Sequence, residues 1–156
     1  MIKTKLIALY NGLNQVKNLK GVKFAYGVIK NIRLMENEIV SIQESIKPVK
    51  DFMEYDMERM NLAKKHSKKD KNGNPVIENN NFVLESEKEF ELEFEALKEK
   101  HSSVLSERQK QIEEYEKLLT EDVKIELYKI KMSDIPQDIS TEQLAGIFDI
   151  VENNVY

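Results

Sequence analysis

The residues of this chain best suited to proton transfer or metal ligation are its two histidines, His66 and His101, and their separation in sequence fits no local metal motif. The chain has no cysteine, which removes thiolate nucleophiles and the thiolate zinc patterns together. Its five glycines form no phosphate-cradling loop, and neither a Gly-x-Ser-x-Gly elbow nor a His-Glu-x-x-His pair occurs. Glu113, Glu114 and Glu116 could share a magnesium ion, but that spacing on an exposed helix face is also what solubility alone produces. No catalytic, cofactor-binding or metal-ligating residue is therefore assigned, no cofactor is expected, and the expectation is a protein that is not an enzyme.

Recognition is the class of function that remains. Twenty-four basic residues against 28 acidic ones leave a formal charge of -4, so no global positive field gathers nucleic acid or anionic membrane. No apolar run approaches the length of a membrane span, and the N-terminal "MIKTKLIALYNGLNQVK" lacks a cleavage site, so no membrane partner is expected. A hydrophobic share of 40% with 33% charged residues suits helices with much of their surface in water. The 156 residues are expected to form a single elongated domain.

The elements follow from periodicity. Leu6, Leu9, Tyr10, Leu13 and Val16 predict a short helix over 4–17, weakened by Gly12. From Ala25 the apolar residues recur alternately three and four apart: Val28, Ile32, Met35, Ile39, Ile42, Ile46, Val49 and Met53, then Met60 and Ala63. That is the seam of a helix packed along its length, predicted over 22–66 with a kink near Pro48. Met35, Met53, Met57 and Met60 read as adaptable filling of its core. Ser86 and Glu89 form a capping box at the start of a return helix over 86–120, whose apolar positions include Phe90, Phe94, Leu97, Leu105 and Ile112. The alternation in "DVKIELYKIK" predicts a strand over 123–131, and Ser140 with Gln143 caps a C-terminal helix over 141–152. No internal repeat is read. The fold class is mainly α: a long antiparallel helical hairpin, coiled-coil-like, with a small β-hairpin over 67–84 at its tip and the short strand plus C-terminal helix at its base.

The tip is the one stretch that invites a recognition role. Lys64, Lys65, His66, Lys68, Lys69 and Lys71 cluster beside "DKNGNPVIENNNFVL", whose Asn-Gly, Asn-Pro and triple-asparagine steps are turn signals. A basic tip could meet phosphate or an acidic protein patch. It lacks the arginines and interleaved aromatics of nucleic-acid surfaces, so nucleic acid ranks last among the partners.

The order of elements, with "KDKNGNPVIENNNFVL", "FEALKEKH" and "LLTEDVKIELYKIKMSDIPQDISTEQLAGIFDIVE", resembles small uncharacterised helical proteins of tailed bacteriophages and prophages over about residues 18–152. The resemblance implies a phage context, in the host cytoplasm or the virion, and transfers no site. Two functions then compete: a module that binds and modulates a host or phage protein through helical surfaces, and a virion or assembly component forming a homo-oligomeric ring or fibre. Both need the seam. Ile39→Asp, at mid-seam, is expected to cost several kcal/mol by burying an unpaired charge, roughly the scale of the largest single-residue effects, whereas Glu38→Ala changes little. Thermal melts of the two variants check this.

Overall fold

The computed structural model describes residues 1–152. The protein is mainly helical, with two small two-stranded sheets among the described residues. It divides into two compact units: residues 1–46 with those from Glu114 onward, and Lys47–Glu113.

The first unit is built on helix α1 (Lys3–Val16) and helix α2 (Val22–Ile46). Leu6, Leu9, Leu13 and Val16 project from α1, and Phe24, Val28, Met35, Ile39 and Ile42 from α2, into one buried cluster completed by Ile130, Ile147, Ile150 and Val151. Each such side chain fully removed from water stabilises by about 1.5–3 kcal/mol before entropy is counted. The seam read over this stretch thus faces the core as far as Ile42. A buried polar residue lies within it: Asn31 donates from Nδ2 to the Tyr128 carbonyl at 2.8 Å and accepts from the Tyr128 N–H at 2.8 Å. This side-chain amide pairs with an extended segment as a neighbouring strand would.

That pairing explains a correction. The expected strand over 123–131 is reduced to Ile130–Lys131 (β3), which pairs in parallel with Val151–Glu152 (β4). Val123, Ile125 and Leu127 do pack on the core while Lys124 and Glu126 face water, as alternation requires. Among the described residues no second strand lies alongside to complete a ladder, so the segment stays irregular. The C-terminal helix over 141–152 is likewise shorter. Its Ser140–Gln143 capping box is formed, but helix α6 (Thr141–Gly146) ends at a glycine, and a 3-10 turn, Phe148–Ile150, leads into β4. Gly12 proves to be a contact rather than a weakness. A Cβ there would fall 2.1 Å from the Gly146 carbonyl oxygen, so only glycine allows α1 and α6 to cross this closely.

The second unit contains helix α3 (Lys50–Lys65), the antiparallel strands β1 (Ile77–Glu78) and β2 (Asn81–Phe82), helix α4 (Glu87–Lys100) and the first part of helix α5 (Ser102–Thr120). The helix expected over 22–66 is therefore two helices. Residues 47–49 are non-helical, because Pro48 supplies no amide and crowds the preceding turn. The interruption also rotates the apolar phase. Beyond it Tyr55 is buried, with Phe52, Leu62 and His66 partly so, whereas Met53, Met57 and Met60 are 49%, 66% and 44% exposed. Of the four methionines read as core filling, only Met35 fills a core. The return helix over 86–120 is also divided, at His101, which leaves helical geometry with φ -107° and ψ 21°.

Between α3 and α4 the chain reverses through two turns. Asn79 and Asn80 take positive φ of 49° and 62° in the two-residue loop between β1 and β2, the conformation that a tight hairpin needs. Asp70 Oδ1 accepts from the amides of Asn72 and Asn74, both at 2.8 Å, and Gly73 sits at φ 80°.

Gly12→Ala is expected to lower the first unit's stability by about 1–3 kcal/mol or more, the usual cost of forcing a methyl into a packed contact. A chemical denaturation curve that does not shift would contradict the α1–α6 crossing.

Candidate functional site

The α3–α4 pair supplies the most organised polar arrangement of the second unit. Glu58 on α3 meets Lys100 and His101 at the end of α4, while Glu93 on α4 meets Lys65 and His66 at the end of α3, so the two helices run antiparallel. Lys100 Nζ donates to both Glu58 carboxylate oxygens at 3.0 and 2.7 Å, and Lys65 Nζ to both Glu93 oxygens at 2.7 Å. Each histidine Nε2 lies against the same carboxylate, His66 at 3.2 Å from Glu93 and His101 at 3.3 Å from Glu58, off the angle of a directed hydrogen bond. The rings are held by aromatic edges. Tyr55 and His101 are T-shaped with centroids 5.4 Å apart, and His66 and Phe90 are T-shaped at 6.1 Å.

These contacts are duplicates, and their source is in the sequence. Tyr55, Glu58, Leu62, Lys65, His66 and Ser67 recur as Phe90, Glu93, Leu97, Lys100, His101 and Ser102, each 35 residues on from its counterpart. The segments 55–67 and 90–102 are an internal repeat, which corrects the reading that there is none. In helical geometry the aromatic, leucine and histidine fall on the side facing the other helix, and the glutamate and lysine, seven apart, fall on one open face. Laid antiparallel, two such segments must bring the glutamate of one beside the lysine of the other, at both ends. The pair has a local two-fold relation. Its axis passes through a groove of about 540 Å³ lined by Glu58, Asn61, Leu62 and Lys65 from α3 and by their counterparts Glu93, Ala96, Leu97 and Lys100 from α4.

Both carboxyl groups are held below the usual carboxylate range. For Glu58 the main cause is the hydrogen bond from Lys100, with a smaller effect of the adjacent His101; for Glu93 it is the hydrogen bond from Lys65, followed by the charges of Lys65 and His66. Asp70 is lowered as well, by the amides of Asn74 and Asn72.

Of the six residues singled out at the tip, the five lysines are exposed, and two of them also make contacts within the chain. Lys65 is paired with Glu93, and His66 is largely covered. Lys69 donates to the Lys64 carbonyl at 2.6 Å and to Ser67 Oγ at 3.0 Å. No group of three or more His, Asp or Glu side chains among the described residues is placed to hold a metal ion, and no helix among them is long and apolar enough to cross a membrane.

The first unit carries a second surface of note. Val22, Tyr26, Ile29 and Val40 lie along the outer side of α2 and are 89%, 57%, 50% and 50% exposed. Beside them Tyr26 packs edge-on against Tyr128, with centroids 5.7 Å apart, and Lys30 Nζ sits 4.6 Å from the Tyr128 ring centre. Tyr26, Ile29, Lys30, Arg33 and Leu34 line a shallow groove of about 350 Å³. No family model matches the sequence, and no curated protein or solved structure matches it either.

The depressed carboxyl groups fix a sign for the pH response. A group whose folded-state pKa is lowered contributes its full stabilisation above its unfolded pKa and loses it as pH falls through the folded value. The second unit should therefore weaken on acidification through and below the ordinary carboxylate range. Glu58→Gln with Glu93→Gln should melt at lower temperature at neutral pH and show a flatter acid dependence. Equal slopes for parent and variant in melts followed from neutral to acidic pH would contradict the assignment.

Proposed function

We propose that this protein is a non-enzymatic interaction module that binds a partner protein through helical surfaces. The observation that carries this reading is the uncovered apolar line along α2. Val22, Tyr26, Ile29 and Val40 span about 27 Å at about 1.5 Å of rise per residue, long enough to seat several turns of another helix. An amphipathic helix laid along it would place apolar residues at three- and four-residue spacing against Tyr26, Ile29 and Leu34. Lys30 and Arg33 flank the same groove, and Arg33 makes no ion pair among the described residues, so the partner segment is expected to be acidic on its flank. The resemblance to tailed-phage proteins puts that partner among host or phage proteins, met in the host cytoplasm or on the virion, and makes modulation of the partner the role.

A second reading makes the chain an assembly component built from copies of itself. It draws on the second unit, where α3 and α4 form a helical hairpin with the β1–β2 turn at its far end and Tyr55 is the one buried hydrophobic side chain. Nucleic-acid binding through the lysines ranks third, since Lys65 and Lys69 are engaged within the chain.

The test replaces Ile29 by a photo-crosslinking amino acid and, separately, by glutamate. Because Ile29 is half exposed, Ile29→Glu should change stability by no more than about 0.5 kcal/mol, the usual range for surface positions. Crosslinks from position 29 should concentrate on one partner, and Ile29→Glu together with Arg33→Glu should abolish its capture. Capture that is indifferent to both substitutions would overturn the reading.

A further inference from the structure

We infer that the groove between α3 and α4 seats a second copy of this chain, turned over so that the two grooves face each other in a four-helix arrangement. The inference starts from what the second unit lacks. A pair of helices has two broad sides, and a unit of this size needs an apolar interior to hold its shape. Here one hydrophobic side chain, Tyr55, is buried, while Leu62 and Leu97 on the groove floor are partly covered and keep some of their surface in water. A partner laid on the groove would remove them from water.

The charge pattern says which partner fits. Glu58 is next to Lys100 and Lys65 is next to Glu93, so the four corners of the groove alternate in sign, with like charges on the diagonals. A surface of this kind has a simple property. Turned face-down by a two-fold rotation about an axis lying in its own plane, either along the helices or across them, it presents a positive corner over every negative one. The facing helices are antiparallel in both cases. The groove is therefore complementary to itself, which an isologous contact demands, and any other occupant would need the same alternating corners at the same spacing. The arrangement is the packing of an antiparallel four-helix bundle, in which each pair covers the other's leucines.

The inference is independent of the α2 surface, which lies in the other unit; loss of self-association would leave capture by position 29 unchanged, and the reverse also holds. The experiment is sedimentation equilibrium of the full chain from low to high micromolar concentration, in low and in high salt. The mass should be twice that of the chain and should fall toward that of the chain as salt screens the corners. Glu58→Lys with Glu93→Lys makes all four corners positive and should weaken association roughly tenfold or more, through like-charge juxtaposition. Adding Lys65→Glu and Lys100→Glu reverses every corner while keeping both pairs within the chain. This four-way variant should associate again and should not mix with the parent chain, because the two patterns meet like against like. It also decides the matter should the two-way variant fail to fold. A parent chain that stays monomeric at every concentration would overturn the inference. So would a two-way variant that associates as tightly as the parent, or a four-way variant that mixes freely with it.

Discussion

Two helices that carry the same residues at the same spacing and lie antiparallel have little freedom in what they place side by side. The glutamate midway along each must meet the lysine and histidine at the end of the other, and the aromatic ring one turn earlier must meet the same histidine. That constraint sets the second unit. It produces the matched Glu58–Lys100 and Glu93–Lys65 pairs, the matched Tyr55–His101 and Phe90–His66 edges, and a groove with alternating corners. It also gives the division of the return helix at His101 a counterpart: α3 and α4 each end in Lys-His-Ser, with the histidine as the residue that leaves the helix.

The two units rest on different physics. The first is held by an interior in which α1, α2 and the C-terminal segments bury aliphatic side chains together, and its polar exceptions are satisfied, as Asn31 is by both backbone groups of Tyr128. Such a core is indifferent to salt and tolerant of pH. In the second, ion pairs at half-exposed positions and the edges of largely covered rings do much of the work, and each exposed pair contributes little in water on its own. Covering such a surface strengthens the attraction within each ion pair, against the cost of taking its charges out of water. The physical difference agrees with the division of roles proposed for them, a stable unit displaying an apolar line on α2 and a second unit completed by its own kind.

Periodicity made α1, α2 and the inward positions Val28, Met35, Ile39 and Ile42 legible in the sequence, because helix burial writes itself at steps of three and four. The same rule misled beyond Pro48. Val49, Met53 and Met60 continue the series by count, but residues 47–49 are not helical, and in the helix that follows Phe52, Tyr55 and Leu62 are the covered positions instead. Alternation in Val123, Ile125 and Leu127 correctly showed which side faces the core and wrongly implied a strand, since no sequence window reveals that Asn31 stands where a ladder would. The repeat of Tyr55–Ser67 in Phe90–Ser102 was present in the letters. It is faint because only six of its positions recur, one of them as Phe for Tyr, without the glycine or proline punctuation that marks most repeats, and "Lys-His-Ser" occurring twice is its clearest signal. The exposed lysines of the tip were legible in the sequence, whereas the pairing of Lys65 with a carboxylate on another helix was not, because sequence proximity does not show it.

The local two-fold pairing of α3 with α4 is the claim on which the groove and its occupant depend, and through-space proton contacts in solution test it most directly. With both histidine rings assigned, the account predicts cross-peaks between the ring protons of His101 and Tyr55 and between those of His66 and Phe90, together. Observation of one set without the other, or of neither, would contradict the pairing and with it the symmetry of the groove.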